Sequence, residues 1–167
     1  KDSLGREWQV ATIQLDMNMP ERFNLACVDE KGKPERVVMI HAAIMGSIER
    51  FVSVLIEHFA GAFPLWLAPV QITILPVSEK FMVYGKKIFE ILKREGFRVE
   101  LNDANDTLGK RIREAELQKI PYILVVGEKE KKNKTLNVRH FGRGQEGEIE
   151  IEKLIQKLKK EIGQKII

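Results

Sequence analysis

Residues 70–101 read VQITILPVSEKFMVYGKKIFEILKREGFRVEL, and the changes of period along them decide the fold. The run VQITIL is apolar and too short for a helix, which suits a buried strand. SEKFMVYGKKIFEILKREG carries its apolar residues at helical spacing, with Ser78 a candidate N-cap and Gly96 at the C-terminal stop. FRVEL returns to strand character. Strand, helix and strand in this order imply a parallel pair joined by a crossover.

Working outward towards the C-terminus, TLGKRIREAELQK predicts a second helix. IPYILVVG predicts a buried mid-sheet strand. EKEKKN reads as a lysine-rich turn, KTLNVRHF as a further strand and IEIEKLIQKLKKEI as a closing helix. The expectation is an α/β domain over 69–167, with a mixed, mostly parallel sheet between helical layers. In the other direction the boundary falls at 66–70, around WLAPV. Residues 1–68 read as strands in WQVATIQLDM and on both sides of the turn DEKGKP, an antiparallel arrangement. From Ala42 the pattern becomes helical, with Ile44, Ile48, Phe51, Leu55 and Phe59 on one stripe, ended by Gly61 and Pro64. Three strands and one helix give little to bury their faces against. Residues 1–68 are therefore expected to be the tail of a larger sheet.

Composition narrows the classes. The chain is 44% hydrophobic and 31% charged, which fits a globular protein rather than a disordered one. FPLWLAPV and IPYILVV fall short of a membrane span, so no membrane partner is expected. The single cysteine, Cys27, has no partner for an internal disulfide, and a reducing, cytoplasmic setting is the simplest reading. Charge is asymmetric. Residues 1–68 carry seven Lys/Arg against nine Asp/Glu, whereas residues 69–167 carry 21 against 15. A basic second half points to a polyanion such as nucleic acid, or to a solvated lysine-rich surface.

Several residues stand out chemically. MIHAAIMGSIERF, residues 39–51, carries His41 and Arg50 on an apolar segment: either a core histidine and a surface arginine, or a metal ligand and a phosphate ligand. Gln9, Thr12 and Gln14 in WQVATIQ could line a pocket or a solvated strand face. In a regular strand Gln9 and Gln14 point to opposite sides.

Four blocks carry a family resemblance: GREWQVATIQLDMNMPERF, MIHAAIMGSIERF, HFAGAFPLWLAPVQ and LGKRIREAELQKIPYILVVGEKE. Through them the chain resembles the C-terminal part of the threonyl-tRNA synthetases, class II aminoacyl-tRNA synthetases, over essentially its whole length. The resemblance implies the antiparallel C-terminal piece of a class II catalytic sheet over 1–68, then a three-layer α/β/α anticodon-binding domain over 69–167. GSIER matches the third class II motif, which gives Arg50 the role of ATP-phosphate ligand and catalytic residue, with Mg²⁺ assisting. Gln9 and Thr12 are implied towards ATP and Gln14 towards threonine. His41 matches one of three zinc ligands. The other two, a cysteine and a histidine, have no match here, and Cys27 does not stand at the cysteine's position, so this chain by itself is not expected to bind zinc tightly. In the family this zinc holds the amino and hydroxyl groups of threonine, a filter against valine.

Asn105, Arg113, Glu130 and Arg139 stand at positions implied to contact the tRNA anticodon. The family often has an arginine where this chain has Ala104 and a lysine where it has Thr107, so two cationic contacts are missing. The lysines of EKKNK, beside Glu130, are expected to supply backbone charge contacts instead. The implied parent activity is ATP-dependent attachment of threonine to its tRNA, in a homodimer, with this chain alone inactive. The alternative is a non-catalytic tRNA-binding module that keeps a relic of the catalytic domain.

Overall fold

The computed structural model describes residues 1–103 and 105–167; Ala104, one of the two departures just noted, lies outside the described residues. The chain divides into two compact units, Lys1–Phe59 and Ala60–Ile167.

In the first unit β1 (Ala11–Asp16) pairs antiparallel with β4 (Met39–Ile44), and β2 (Ala26–Val28) with β3 (Pro34–Arg36). α1 (Asn18–Arg22) follows β1, and α2 (Ile48–His58) follows β4. The sequence reading began the helix at Ala42, but Ala42, Ala43 and Ile44 extend β4 opposite Ile13, Thr12 and Ala11. Alanine and isoleucine suit either state, and pairing with β1 decides between them. His41 is thus a strand residue. Among the described residues of this unit only Asp2 and Pro20 are buried.

The second unit holds one five-stranded sheet in the order β6-β5-β7-β8-β9, built from β5 (Ile72–Pro76), β6 (Val99–Leu101), β7 (Tyr122–Val126), β8 (Thr135–His140) and β9 (Gly144–Glu150). β6, β5 and β7 are parallel, whereas β7–β8 and β8–β9 are antiparallel. The sheet is therefore mixed, with two parallel and two antiparallel pairs rather than mostly parallel.

α3 (Met82–Arg94) and α6 (Ile151–Gly163) supply Ile88, Leu92, Leu154 and Leu158 to a core with Ile72, Ile74, Tyr122, Leu124 and Val138. α4 (Leu108–Leu117) supplies Ala115 to a second cluster with Leu75, Ile120 and Ile123. Ile74 and Leu75 are neighbours on β5 and point to opposite faces, so helices cover both sides of the sheet.

Ser78 caps a single 3₁₀ turn, Glu79–Phe81, that leads into α3, and its side chain makes no capping hydrogen bond. Gly96 ends α3's turn at φ +88°. EKEKKN is not a turn but the short helix α5 (Glu128–Asn133). The sequence reading missed β9 and began the closing helix inside it. β9 is an edge strand with two glycines and three glutamates, opposite a register shift at Val138/Arg139. Such a strand shows little apolar alternation. Residues 60–68, read as the end of the first part, belong to the second unit. Leu65 and Ala68 are buried there, and Arg98 donates to the carbonyls of Ala68 (2.8 Å) and Trp66 (3.0 Å).

Candidate functional site

In the first unit the β1–β4 register sets Gln14 directly opposite His41, so their side chains share a face. Thr12, two residues back, lies on that face too. Gln9 precedes β1, and its backbone approaches the turn into α2: a Cβ on Gly46 (φ +59°) would stand 3.8 Å from the Gln9 carbonyl oxygen. The segment before β1 therefore lies beside the start of the helix that carries Arg50. Gln9 lies outside β1, so strand alternation does not relate its direction to that of Gln14.

Arg50 is exposed in the first turn of α2, with its Cζ 5.9 Å from the Trp8 ring centroid. The Arg6 Cζ stands 5.7 Å from the same ring. Glu49, next to Arg50, accepts from the Ser47 hydroxyl at 2.8 Å. Its own backbone N–H, then that hydroxyl, hold its carboxyl below the usual range.

The sequence reading missed Asp2, which organises the segment. Its Oδ1 accepts from the Leu4 and Arg6 amides (3.0 and 2.9 Å), and its Oδ2 from Arg6 Nε (2.6 Å) and Trp8 Nε1 (2.8 Å). The Trp8 hydrogen bond first, then those from Arg6, lower its carboxyl to about 2 against the opposing effect of desolvation. An acidic residue near a chain start carries no pattern that announces burial.

His41 is exposed. No three His, Cys, Asp or Glu side chains converge on a metal site among the described residues. His41 by itself supplies one donor where a zinc site of this kind needs three.

In the second unit Asn105 follows β6 at the carboxyl ends of the parallel strands, the usual position for ligands in such sheets. It lines a hollow of about 270 Å³ with Pro76, Ser78, Asp106 and Arg111. Arg111, also missed, is 4% exposed and donates to the carbonyls of Pro76 (2.7 Å) and Asn102 (3.3 Å). It thereby ties the ends of β5 and β6 together behind Asn105. Thr107, where the family often has lysine, caps α4 by accepting from the Lys110 amide at 3.3 Å. Lys110 bonds both oxygens of Asp106 at 3.0 Å, which raises its pKa.

Glu130 sits at the same edge, in the first turn of α5. It is 8% exposed, and its carboxylate accepts from the Gly127 amide at 2.9 Å. It is thus a helix-capping group as well as a candidate base contact. Arg139 is elsewhere, on β8 opposite Ile123, with Nη2 3.3 Å from Glu116 of α4. Arg113 is exposed on that same helix. The four proposed anticodon residues therefore form two groups: Asn105 and Glu130 at the carboxyl edge, Arg113 and Arg139 on α4 and β8. A third patch was not foreseen. Lys80, Phe81, Glu128, Lys131 and Lys132 line an open hollow of about 540 Å³. Lysines beside an aromatic ring suit phosphate contact and base stacking.

Comparison with known proteins agrees with both units. Residues 1–59 match the tRNA synthetase class II core domain (G, H, P, S and T), and residues 71–161 match the anticodon binding domain. The threonine–tRNA ligase of Caldanaerobacter subterraneus subsp. tengcongensis is 50% identical over 167 residues, 100% of this chain and 26% of the relative. That of Thermotoga neapolitana is 52% identical over 162 residues, 97% of this chain and 25% of the relative. The chain thus spans about a quarter of the length of these curated relatives. The crystal structure of the RNA binding domain of threonyl-tRNA synthetase from Cryptosporidium parvum Iowa II superposes with a TM-score of 0.83 at 40% identity, covering 95% of this chain and 40% of that one. The chain therefore belongs to the anticodon binding domain family, with class II tRNA synthetase core sequence ahead of that domain.

Proposed function

We propose that this chain is the part of a threonine–tRNA ligase that holds the anticodon and contributes Arg50 to the adenylate-forming site. One observation carries the reading: relatives of that name match at 50% identity across both units, not across the anticodon binding domain alone. In function residues 1–68 belong with the catalytic core and 69–167 with anticodon binding, with 60–68 as the connection.

In the adenylation step the Arg50 guanidinium holds ATP phosphate oxygens while the threonine carboxylate attacks the α-phosphate and pyrophosphate leaves. Bound Mg²⁺ supplies further charge neutralisation. Gln9 and Thr12 face ATP, Gln14 faces threonine, and His41 is one ligand of a zinc completed by the longer protein. That protein works as a cytoplasmic homodimer.

Unpaired anticodon bases present their Watson–Crick edges. Asn105 offers both a donor and an acceptor, Glu130 accepts from guanine N–H groups, and Arg113 and Arg139 serve bases or phosphate. The basic balance of residues 69–167 supplies the attraction.

Binding of a threonine tRNA transcript to this chain tests the reading. Asn105→Ala and Arg139→Ala should each weaken binding by about 1–3 kcal/mol, roughly 5- to 150-fold. Unchanged affinity and unchanged anticodon discrimination in both variants would overturn it. Glu130→Ala is the poorer choice, since it removes a helix cap together with any base contact.

A further inference from the structure

We infer that Asp2 is a positioning residue for Arg50, acting through the indole of Trp8. Its functional meaning rests on the proposed phosphate role of Arg50. Residues 1–8 belong to no helix or strand, so their shape needs another source. The Asp2 side chain is fully buried. With both oxygens it gathers two backbone amides, the Arg6 Nε and the Trp8 Nε1. Backbone bonds from Asp2 N to Arg6 O and from Gly5 N to Asp2 O, both 3.0 Å, close the same loop.

Trp8 is 36% exposed, so packing alone does not set its ring. An indole has one N–H donor, and Asp2 holds it. The ring then offers its π surface to the guanidinium of Arg50 at 5.9 Å. Among the described residues no carboxylate forms an ion pair with Arg50, and neighbouring Glu49 is engaged by Ser47. A guanidinium steadied through its face keeps its in-plane N–H groups for an anion. Arg6 joins at the same ring while its Nε stays on Asp2.

NMR of the 167-residue chain tests this. The Arg50 side-chain resonances should show a ring-current displacement in the native chain. Asp2→Asn, whose one oxygen can serve only one of the two donor pairs and whose NH2 would face the other, should remove more than half of it. Trp8→Phe, which keeps a ring but loses the anchor, should do the same. Arg36 and the resonances of residues 60–167 should stay in place. A native displacement of Arg50 in Asp2→Asn overturns the inference. If Asp2→Asn unfolds the first unit, a native displacement in Trp8→Phe overturns it instead. Titration with magnesium-ATP separates the two readings. Movement of Arg50 in the native chain, weakened about 5-fold or more in Asp2→Asn, supports both. If ATP leaves Arg50 unmoved while Asp2→Asn still releases it, the positioning stands and the phosphate role fails.

Discussion

Gly85 shows how closely the second unit is fitted around its candidate hollow. A Cβ there would stand 2.9 Å from the Pro76 Cγ and 3.3 Å from the Leu101 Cδ1. Alanine is the better helix former by about 1 kcal/mol, but overpacking costs about 1–3 kcal/mol. The contact wins here because the proline ring is rigid and ends a fully buried strand. Gly85→Ala should therefore lower stability by about 1 kcal/mol in urea unfolding with an unchanged m-value. A rise in stability would mean that α3 lifts freely from β5. The Pro76 carbonyl also receives Arg111, so the same contact bears on the wall behind Asn105. At this scale the resemblance assigned Arg50 its proposed role, whereas nothing in the sequence marked Asp2 or Arg111. Neither sits in a pattern that announces burial: Asp2 is enclosed by its own loop, through Leu4, Arg6 and Trp8, and Arg111 by the distant Pro76 carbonyl.

Among the elements, β7, β8 and α6 meet at a buried polar cluster. The Tyr122 hydroxyl donates to the Glu161 carboxylate at 2.7 Å, and its ring meets His140 edge-on at 4.8 Å. Desolvation and the Tyr122–Glu161 bond raise the Tyr122 pKa. Burial, then the charge of Arg143, lowers His140 below the usual 6.5. The folded state therefore takes up the His140 proton later than the unfolded chain as pH falls. Its contribution is fully present above about pH 6.5 and is lost towards the lower folded value. The urea midpoint should fall between pH 7 and pH 5, and the fall should be smaller in His140→Phe, which keeps the ring contact. An identical fall in both would assign the effect to other groups. This cluster joins three elements that were read from the sequence as separate pieces. β9 and α5, beside them, were missed because their polar residues belong to an edge and a cap rather than to a core.

For the whole molecule, the two units differ in what they bury. The second has two clusters of buried apolar side chains on opposite sheet faces. The first leaves Ile13, Leu15, Ile40 and Ile44 66–76% exposed on β1 and β4. Apolar faces of this kind fit a larger core sheet, in keeping with relatives about four times as long. Residues 60–167 expressed alone should unfold cooperatively, whereas residues 1–59 alone should give no cooperative transition in circular dichroism. A sharp transition in the shorter piece would show that it is stable without further sheet. No helix among the described residues is long and apolar enough to cross a membrane.

By itself the sequence determined the alternation of strand and helix from Val70 to Val126, because buried strands and amphipathic helices carry their own periods. It also determined the family, through long ordered blocks, and the charge contrast between the halves. The tertiary structure decided what no period encodes. Strand pairing made His41 a neighbour of Gln14 and kept Ala42–Ile44 out of the helix. Packing drew residues 60–68 onto the second unit. Long-range hydrogen bonding buried Arg111, and local loop closure buried Asp2. Period reflects which face of an element is apolar, but the partner that covers a face, or satisfies a charge, is chosen only when the chain closes on itself.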